Sequence, residues 1–267
     1  MRMRVIAGPC QHESFEQSFH IAKNMYMMCD ELDIEYIFKA SFDKANRSSI
    51  DGVRGLGLDE TLTDFRTIGE MFPDLQFLTD VHTVEQVWQI ESEYADVIDV
   101  LQIPAFLCRQ TDLVTAACNT DFVVNIKKGQ FMAPWDMKGV LSKTHYAETV
   151  WITERGTSFG YNTLVNDFTG IQYMLDNYTD NSIVFDATHS VQKPGGNGTS
   201  SGGNREYVPT VARAAAAIGV TNFFMETHPD PDKAPSDGPN MVKLSNMKHI
   251  LTGLKEIYEC TKNYKNS

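Results

Sequence analysis

Short runs of apolar and β-branched residues recur along the chain at 4–7, 36–42, 76–82, 97–104, 122–127, 150–154, 183–189 and 223–228. Between them lie stretches whose apolar positions return every three or four residues: 14–33, 58–72, 84–94, 112–119, 135–145, 166–177, 207–218 and 244–260. Near-continuous apolar runs predict strands buried on both faces, and the longer period predicts helices with one buried stripe. Strands separated by helices imply a parallel sheet with helical cover. Eight such units, roughly thirty residues apart, match a (β/α)8 barrel, whose usual length is about 250 residues. A doubly wound open sheet uses the same units, but the count of eight favours closure. No Pro-, Gly- or Ser-rich linker divides the chain, so residues 1–267 are expected to form a single α/β domain, a (β/α)8 TIM barrel. Residues 194–204 carry five glycines between the seventh strand and its helix and are expected to form a mobile loop, a lid over the barrel top.

This register gives the polar residues a meaning. Cys10 follows the first strand; Lys39, Lys44, Asn46 and Arg47 follow the second; Asp80 and His82 end the third. Gln102 and Arg109 flank the end of the fourth, Lys127 and Lys128 the fifth and Arg155 the sixth, while Asp186 and His189 lie at the seventh and Glu226 and His228 at the eighth. Barrel enzymes build their sites at this end of the strands. The chain has 23 Lys+Arg against 35 Asp+Glu, a net charge of -12, which excludes broad attraction to nucleic acid or an anionic membrane. Lys39, Lys44, Arg47, Lys127 and Arg155 nevertheless converge from three strand ends, where unpaired charge is costly. Isolated cations of this kind are ordinarily solvated surface groups; gathered in one pocket, they predict a substrate with more than one phosphate or carboxylate.

Cys10, His189 and Glu226 lie at the ends of strands one, seven and eight, which become neighbours when a barrel closes, and Asp237 follows in the eighth loop. A thiolate, an imidazole and two carboxylates suit one divalent ion such as Zn, Fe or Mn. Each residue also has an ordinary structural explanation, because buried cysteines are often inert and a lone His or Glu often satisfies a backbone group. The five cysteines are scattered without a CxxC pair, which fits a reducing compartment. No run of signal-peptide or membrane-span length occurs, so a cytoplasmic location without membrane association is expected, and the sequons at Asn46, Asn177 and Asn197 are chance matches.

Eight longer motifs appear in order: IAGPCQHES at 6–14, FKASFDKANRSS at 38–49, TDVH at 79–82, QIPAFLCRQTDL at 102–113, NIKKGQF at 125–131, TERGTSFGYNTLV at 153–165, FDATHSVQKPGG at 185–196 and METHPDPDKAPSDGPN at 225–240. Through them the chain resembles the 3-deoxy-D-manno-octulosonate 8-phosphate synthases, which condense phosphoenolpyruvate with D-arabinose 5-phosphate in making a lipopolysaccharide sugar. The resemblance implies the metal-dependent form, since Cys10 stands where the metal-independent form has Asn and Ser236 where that form tends to have Cys. The implied ligands are then Cys10, His189, Glu226 and Asp237. Lys44, Lys127 and Arg155 resemble the family's phosphoenolpyruvate-binding residues, with Lys39 and Ser41 beside them and Gln102 also on the substrate. Asn46, Arg47 and Ser48 resemble the binders of the sugar phosphate, joined by Phe106 and Arg109, which in this family reach in from a neighbouring subunit of a homo-oligomer, usually a tetramer. His189 is implied to be both ligand and site wall, and His82 and Asp237 are candidate proton carriers. A related synthase that uses erythrose 4-phosphate, a sialic-acid-type synthase and a non-catalytic sugar-phosphate-binding barrel remain competing readings, though the ANRSS segment at 45–49 resembles the octulosonate enzymes more. Arg109→Ala should raise the KM for the sugar phosphate far more than that for phosphoenolpyruvate in steady-state assays; equal changes would mean that its role is misplaced.

Overall fold

The structure is a computed structural model that describes residues 2–47, 49–196 and 202–265. Among the described residues, eight parallel strands close into a barrel: β1 (Arg4–Gly8), β2 (Glu35–Lys39), β3 (Gln76–Asp80), β4 (Val100–Ile103), β5 (Val123–Lys127), β6 (Val150–Glu154), β7 (Ser182–Asp186) and β8 (Asn222–His228). Each pairs with the next, and β8 pairs back onto β1 with Gly8 opposite Glu226. The strand that closes the ring therefore juxtaposes the first and last loops. The helices are α1 (Phe15–Glu31), α2 (Leu58–Met71), α3 (Val84–Glu93), α4 (Thr111–Cys118), α5 (Met137–Leu141), α6 (Phe168–Asn177), α7 (Val208–Ala217) and α8 (Leu244–Lys265).

Local signals explain the helix boundaries. The Ser14 side chain accepts the Gln17 N–H at the start of α1, Thr83 and Gln86 form a reciprocal capping box on α3, and Asp167 caps α6. The buried positions of α1 are Ser18, Ile21, Ala22, Met25 and Cys29, one stripe turned to the sheet. Among the described residues no helix is long and apolar enough to cross a membrane.

Strand alternation divides the core in two. One set of strand residues packs outward against the helices, including Val5, Phe38, Leu101, Val124 and Phe185. The alternate set, Ile6, Ile37, Leu78, Val100, Trp151, Val184 and Phe224, fills the barrel itself. Below that plug, Arg4 pairs with Glu35 at 2.7 Å and lies 4.3 Å from the Trp151 ring centre. Across its β4–β6 side runs a buried hydrogen-bond chain, in which Thr153 Oγ1 donates to Asn125 Oδ1 (2.6 Å) and Asn125 Nδ2 donates to Gln102 Oε1 (3.0 Å). Above it the strands end in charged residues.

Three expectations change. The helix foreseen over 135–145 is only a 3-10 turn, Pro134–Asp136, followed by the short α5. Its continuation fails because Lys143 and Thr144 bond to carbonyls three residues back and the Thr144 hydroxyl takes the Leu141 carbonyl, which tightens the chain into a turn. The strand runs at 36–42, 76–82, 97–104 and 183–189 are also shorter than their apolar content suggests: residues 40–42, 81–82 and 187–189 belong to the loops after β2, β3 and β7, and residues 97–98 turn before β4, where their N–H groups bond to the Tyr94 carbonyl. Two small ribbons, Thr157–Ser158 with Leu164–Val165 and Gln192–Lys193 with Gly202–Gly203, were not foreseen. Residues 197–201 of the expected lid lie outside the described residues.

Gly8 at the end of β1 lies tight against the β2 backbone, since a Cβ there would collide with the Lys39 carbonyl. Gly8→Ala should lower stability by about 2–4 kcal/mol in a urea titration, because backbone rather than a flexible side chain must move; an unchanged midpoint would contradict this packing.

Candidate active site

A cavity of about 590 Å³ opens at the carboxyl ends of the strands, a size usual for small-molecule sites. Lys39, Lys44, Lys127 and Arg155 all line it. Each is held differently. Lys39 Nζ donates to the Cys10 carbonyl (2.9 Å) and to Glu226 Oε1 (3.1 Å). Lys127 Nζ lies 2.5 Å from Asp186 Oδ2 and 3.6 Å from the centre of the Phe224 ring, whose π face also attracts Lys39 at 5.6 Å. Lys44 Nζ donates to Ser41 Oγ (2.8 Å), and that hydroxyl donates to Asp80 Oδ1. Arg155 Nη2 donates to Gln192 Oε1 (2.9 Å), whereas its Nη1 is buried with no hydrogen-bond partner. Leaving a buried donor unmet costs about 1–3 kcal/mol, more when it is charged.

The electrostatics follow from this packing. Burial opposes ionisation of Asp80, but the Lys44 ammonium, the His82 hydrogen bond and Lys39 outweigh it and hold the carboxyl well below the usual carboxylate range. Burial likewise opposes the charge on Lys44, yet Cys10, Asp80, Glu226 and Asp237 raise it above an ordinary lysine. For Lys127 burial prevails and lowers the pKa, with Asp186 resisting. Burial also lowers Arg155, again against Asp186.

A second cluster adjoins the cations. One ligand-capable atom each from Cys10, Glu226 and Asp237 lies within 4.8 Å of the others. His189 Nε2 is 3.8 Å from both Glu226 Oε2 and Asp237 Oδ2, while its Nδ1 is 2.7 Å from Asp186 Oδ2. Asp186 thus fixes the imidazole so that Nε2 faces the two carboxylates, an arrangement common around metal-binding histidines. Glu226 Oε2 is buried and lacks a hydrogen-bond partner, and Cys10 Sγ is 3.3 Å from Asp237 Oδ2. Burial, then the Glu226 carboxylate, push the Cys10 thiol far above its usual range. Two carboxylates, a thiol and an open imidazole nitrogen crowded together, one oxygen orphaned, fit a divalent cation. Asp237 reaches this position from a left-handed backbone (φ 52°), an uncommon geometry for a non-glycine residue.

Comparison with known proteins identifies the family. Residues 1–263 match the DAHP synthetase I family. The chain belongs to that family. Among its relatives, a Brucella anthropi protein named 2-dehydro-3-deoxyphosphooctonate aldolase is 54% identical over 252 residues, covering 94% of this chain and 88% of the relative. Proteins of the same name from Bartonella tribocorum (48% over 264 residues, 98% and 92% covered) and Rickettsia bellii (50% over 260 residues, 97% and 92%) are comparably similar.

In this DAHP synthetase family member the strand-end register brings most of the anticipated residues to one cavity: Lys39, Lys44, Asn46, Arg47, His82, Gln102, Phe106, Lys127, Arg155, His189, Glu226 and Asp237 line it. Ser41 and Cys10 lie just beneath, fully buried. Gln102 reaches the wall but its Oε1 is taken by Asn125. Arg47 donates to Ser236 Oγ (2.7 Å), Gln11 Oε1 (2.6 Å) and the Val53 carbonyl, all neutral oxygens, so no carboxylate neutralises its charge among the described residues. Phe106 follows β4 on a 3-10 turn and stacks on His82 at 6.5 Å, lining the cavity of its own chain. Arg109 is exposed outside that cavity, its carbonyl bonded by Lys143 Nζ. Ser48 lies outside the described residues.

Asp80, Asp186 and Gln192 were not given roles by sequence reasoning. The two aspartates sat at strand ends in plain view, but only the fold shows that they partner Lys44 and Lys127. Gln192, which ties Arg155 to Asp237 through 2.9 and 2.8 Å bonds, carried no signal beyond its place in the seventh loop.

Because the folded Asp80 carboxyl titrates well below its ordinary value of 3.8, it contributes stability that is complete above that value, declines as pH falls below it, and is gone only once pH has fallen through the lower folded pKa. The stability advantage of the native chain over Asp80→Asn should therefore shrink between about pH 4 and pH 2 in urea unfolding; an advantage constant across that window would mean the carboxylate is not the source.

Proposed function

We propose that the chain is a 2-dehydro-3-deoxyphosphooctonate aldolase. It joins C3 of phosphoenolpyruvate to the aldehyde carbon of D-arabinose 5-phosphate, with water adding at C2, giving 3-deoxy-D-manno-octulosonate 8-phosphate and inorganic phosphate. The observation that carries this reading is the set of three buried cations, Lys39, Lys127 and Arg155, with the half-buried Lys44 beside them, one of the four with an unmet Nη1 donor, in a chain of net charge -12. The names of its relatives support the same reaction.

Lys39, Lys44, Lys127 and Arg155 hold the carboxylate and phosphate of phosphoenolpyruvate, with Ser41 setting the Lys44 ammonium. Asn46, Arg47 and Ser48 bind the phosphate end of the acceptor, helped by Gln102 and Phe106 on the wall and by Arg109 of a neighbouring subunit in a homo-oligomer, a tetramer in this reading. Holding both substrates in one orientation removes several kcal/mol of the barrier, and the dry floor strengthens every ionic contact. As the bond forms, the aldehyde oxygen gains a proton and the attacking water loses one. His82, whose buried Nδ1 has no partner, and Asp237 are the groups suited to carry it. Cys10, His189, Glu226 and Asp237 would hold one divalent ion of the Zn, Fe or Mn type, which would supply Lewis-acid polarisation of an aldehyde or water oxygen. Five free cysteines are compatible with a cytoplasmic location.

Use of erythrose 4-phosphate, as by the related synthase that the sequence also resembles, is the second reading. Phosphate release from phosphoenolpyruvate should require arabinose 5-phosphate, fall away after treatment with a strong chelator and return with Mn or Zn. Preference for erythrose 4-phosphate would overturn the acceptor assignment, and an untouched rate after chelation would overturn the metal assignment.

A further inference from the structure

Lys127 and Arg155 both stand on backbone that leaves the barrel at the ends of β5 and β6, and a buried ion pair joins those two exits. Lys128 is fully buried and does not line the cavity. Its Nζ donates to the Met132 carbonyl (3.0 Å) and to Thr157 Oγ1 (3.2 Å), and it lies 3.4 Å from Glu154 Oε2. The other oxygen of Glu154 accepts the backbone N–H groups of Arg155 (3.0 Å) and Gly156 (2.7 Å). Glu154 thereby fixes the peptide from which the Arg155 side chain springs, at a point where Gly156 turns with φ 89°. On the other side, the Lys128 contact closes the 129–132 turn, which carries the cavity residue Gln130, whose carbonyl in turn accepts the Ser158 N–H (2.9 Å).

A buried ion pair is a poor way to gain stability, since apolar residues of similar volume often serve as well or better, and its best attested use is to fix one arrangement. We infer that Lys128 and Glu154 are positioning residues for phosphoenolpyruvate, locking the loops after β5 and β6 so that Lys127 and Arg155 converge on one anion. This rests on the reading of those two cations as phosphoenolpyruvate binders. The pair never touches substrate. It acts through the backbone at Arg155 and Gly156, and the acceptor's phosphate site on the second loop is independent of it.

Lys128→Met and, as a shape-preserving second variant, Glu154→Gln test this by steady-state kinetics together with amide hydrogen exchange on the unliganded protein. The expected result is a KM for phosphoenolpyruvate raised about tenfold or more, a KM for arabinose 5-phosphate within about twofold of the parent, and protection lost at residues 155–158 while the other strands keep theirs. A folded variant with an unchanged KM for phosphoenolpyruvate overturns the proposal, as does an equal rise in both KM values or a fall in melting temperature alone. If Lys128→Met does not fold, Glu154→Gln decides. If the parent protein fails to turn over these substrates, the proposed function falls, and retained or lost protection at 155–158 still decides whether the pair locks this backbone.

Discussion

Charge buried at the mouth of a closed barrel is the constraint on which this structure turns. Lys39, Lys127 and Arg155 are almost wholly removed from solvent, and an ion in that position costs several kcal/mol unless it is paired and hydrogen-bonded. Glu226 answers Lys39, Asp186 answers Lys127, and Asp80 answers Lys44 through Ser41. Phe224, at the top of the apolar plug, offers a π face to two of the ammonium groups. The compensation is close but incomplete: Arg155 Nη1 and Glu226 Oε2 remain without partners, one a donor and one an acceptor. In the proposed function an anion would meet the first and a cation the second, so one imbalance of buried charge underlies both the cation-lined pocket and the cluster around Cys10.

Everything else serves to hold these groups at fixed spacing. The apolar plug gives each strand a rigid base, and the short approach of β1 to β2 at Gly8 brings the Cys10 carbonyl to the Lys39 ammonium. Closure of β8 onto β1 sets Glu226 beside Cys10, and the tight turn after β7, where Asp186 takes the His189 N–H at 2.9 Å, points the imidazole back at them. The buried Lys128–Glu154 pair plays a comparable part outside the cavity. It spends two charges on geometry alone.

The sequence showed the eight strands and most helices because buried parallel strands and amphipathic helices have different periods, and each period survives without knowledge of partners. It also showed Lys39, Lys127, Arg155, His189 and Glu226, since strand ends are visible and polar residues there are few. It misjudged 135–145, where apolar spacing suggested a long helix but threonine and lysine closed the chain early. It left Gln192 and the Lys128–Glu154 pair unread, because a glutamine in a loop and a charge beside a strand look like surface residues until their burial is known.

By itself, then, the sequence determined the order of elements, the family motifs and which residue types stand at which strand ends, all properties written locally in periodicity and spacing. Only the tertiary structure decided which charges answer one another. Asp186 and Lys127 are fifty-nine positions apart and Cys10 and Asp237 two hundred and twenty-seven, yet they meet. Their distances depend on closure of the ring, a cooperative outcome of all eight strands that no local stretch encodes. The open valences of Arg155 and Glu226 are likewise a property of the closed barrel, because an unmet hydrogen bond exists only once water has been excluded from it.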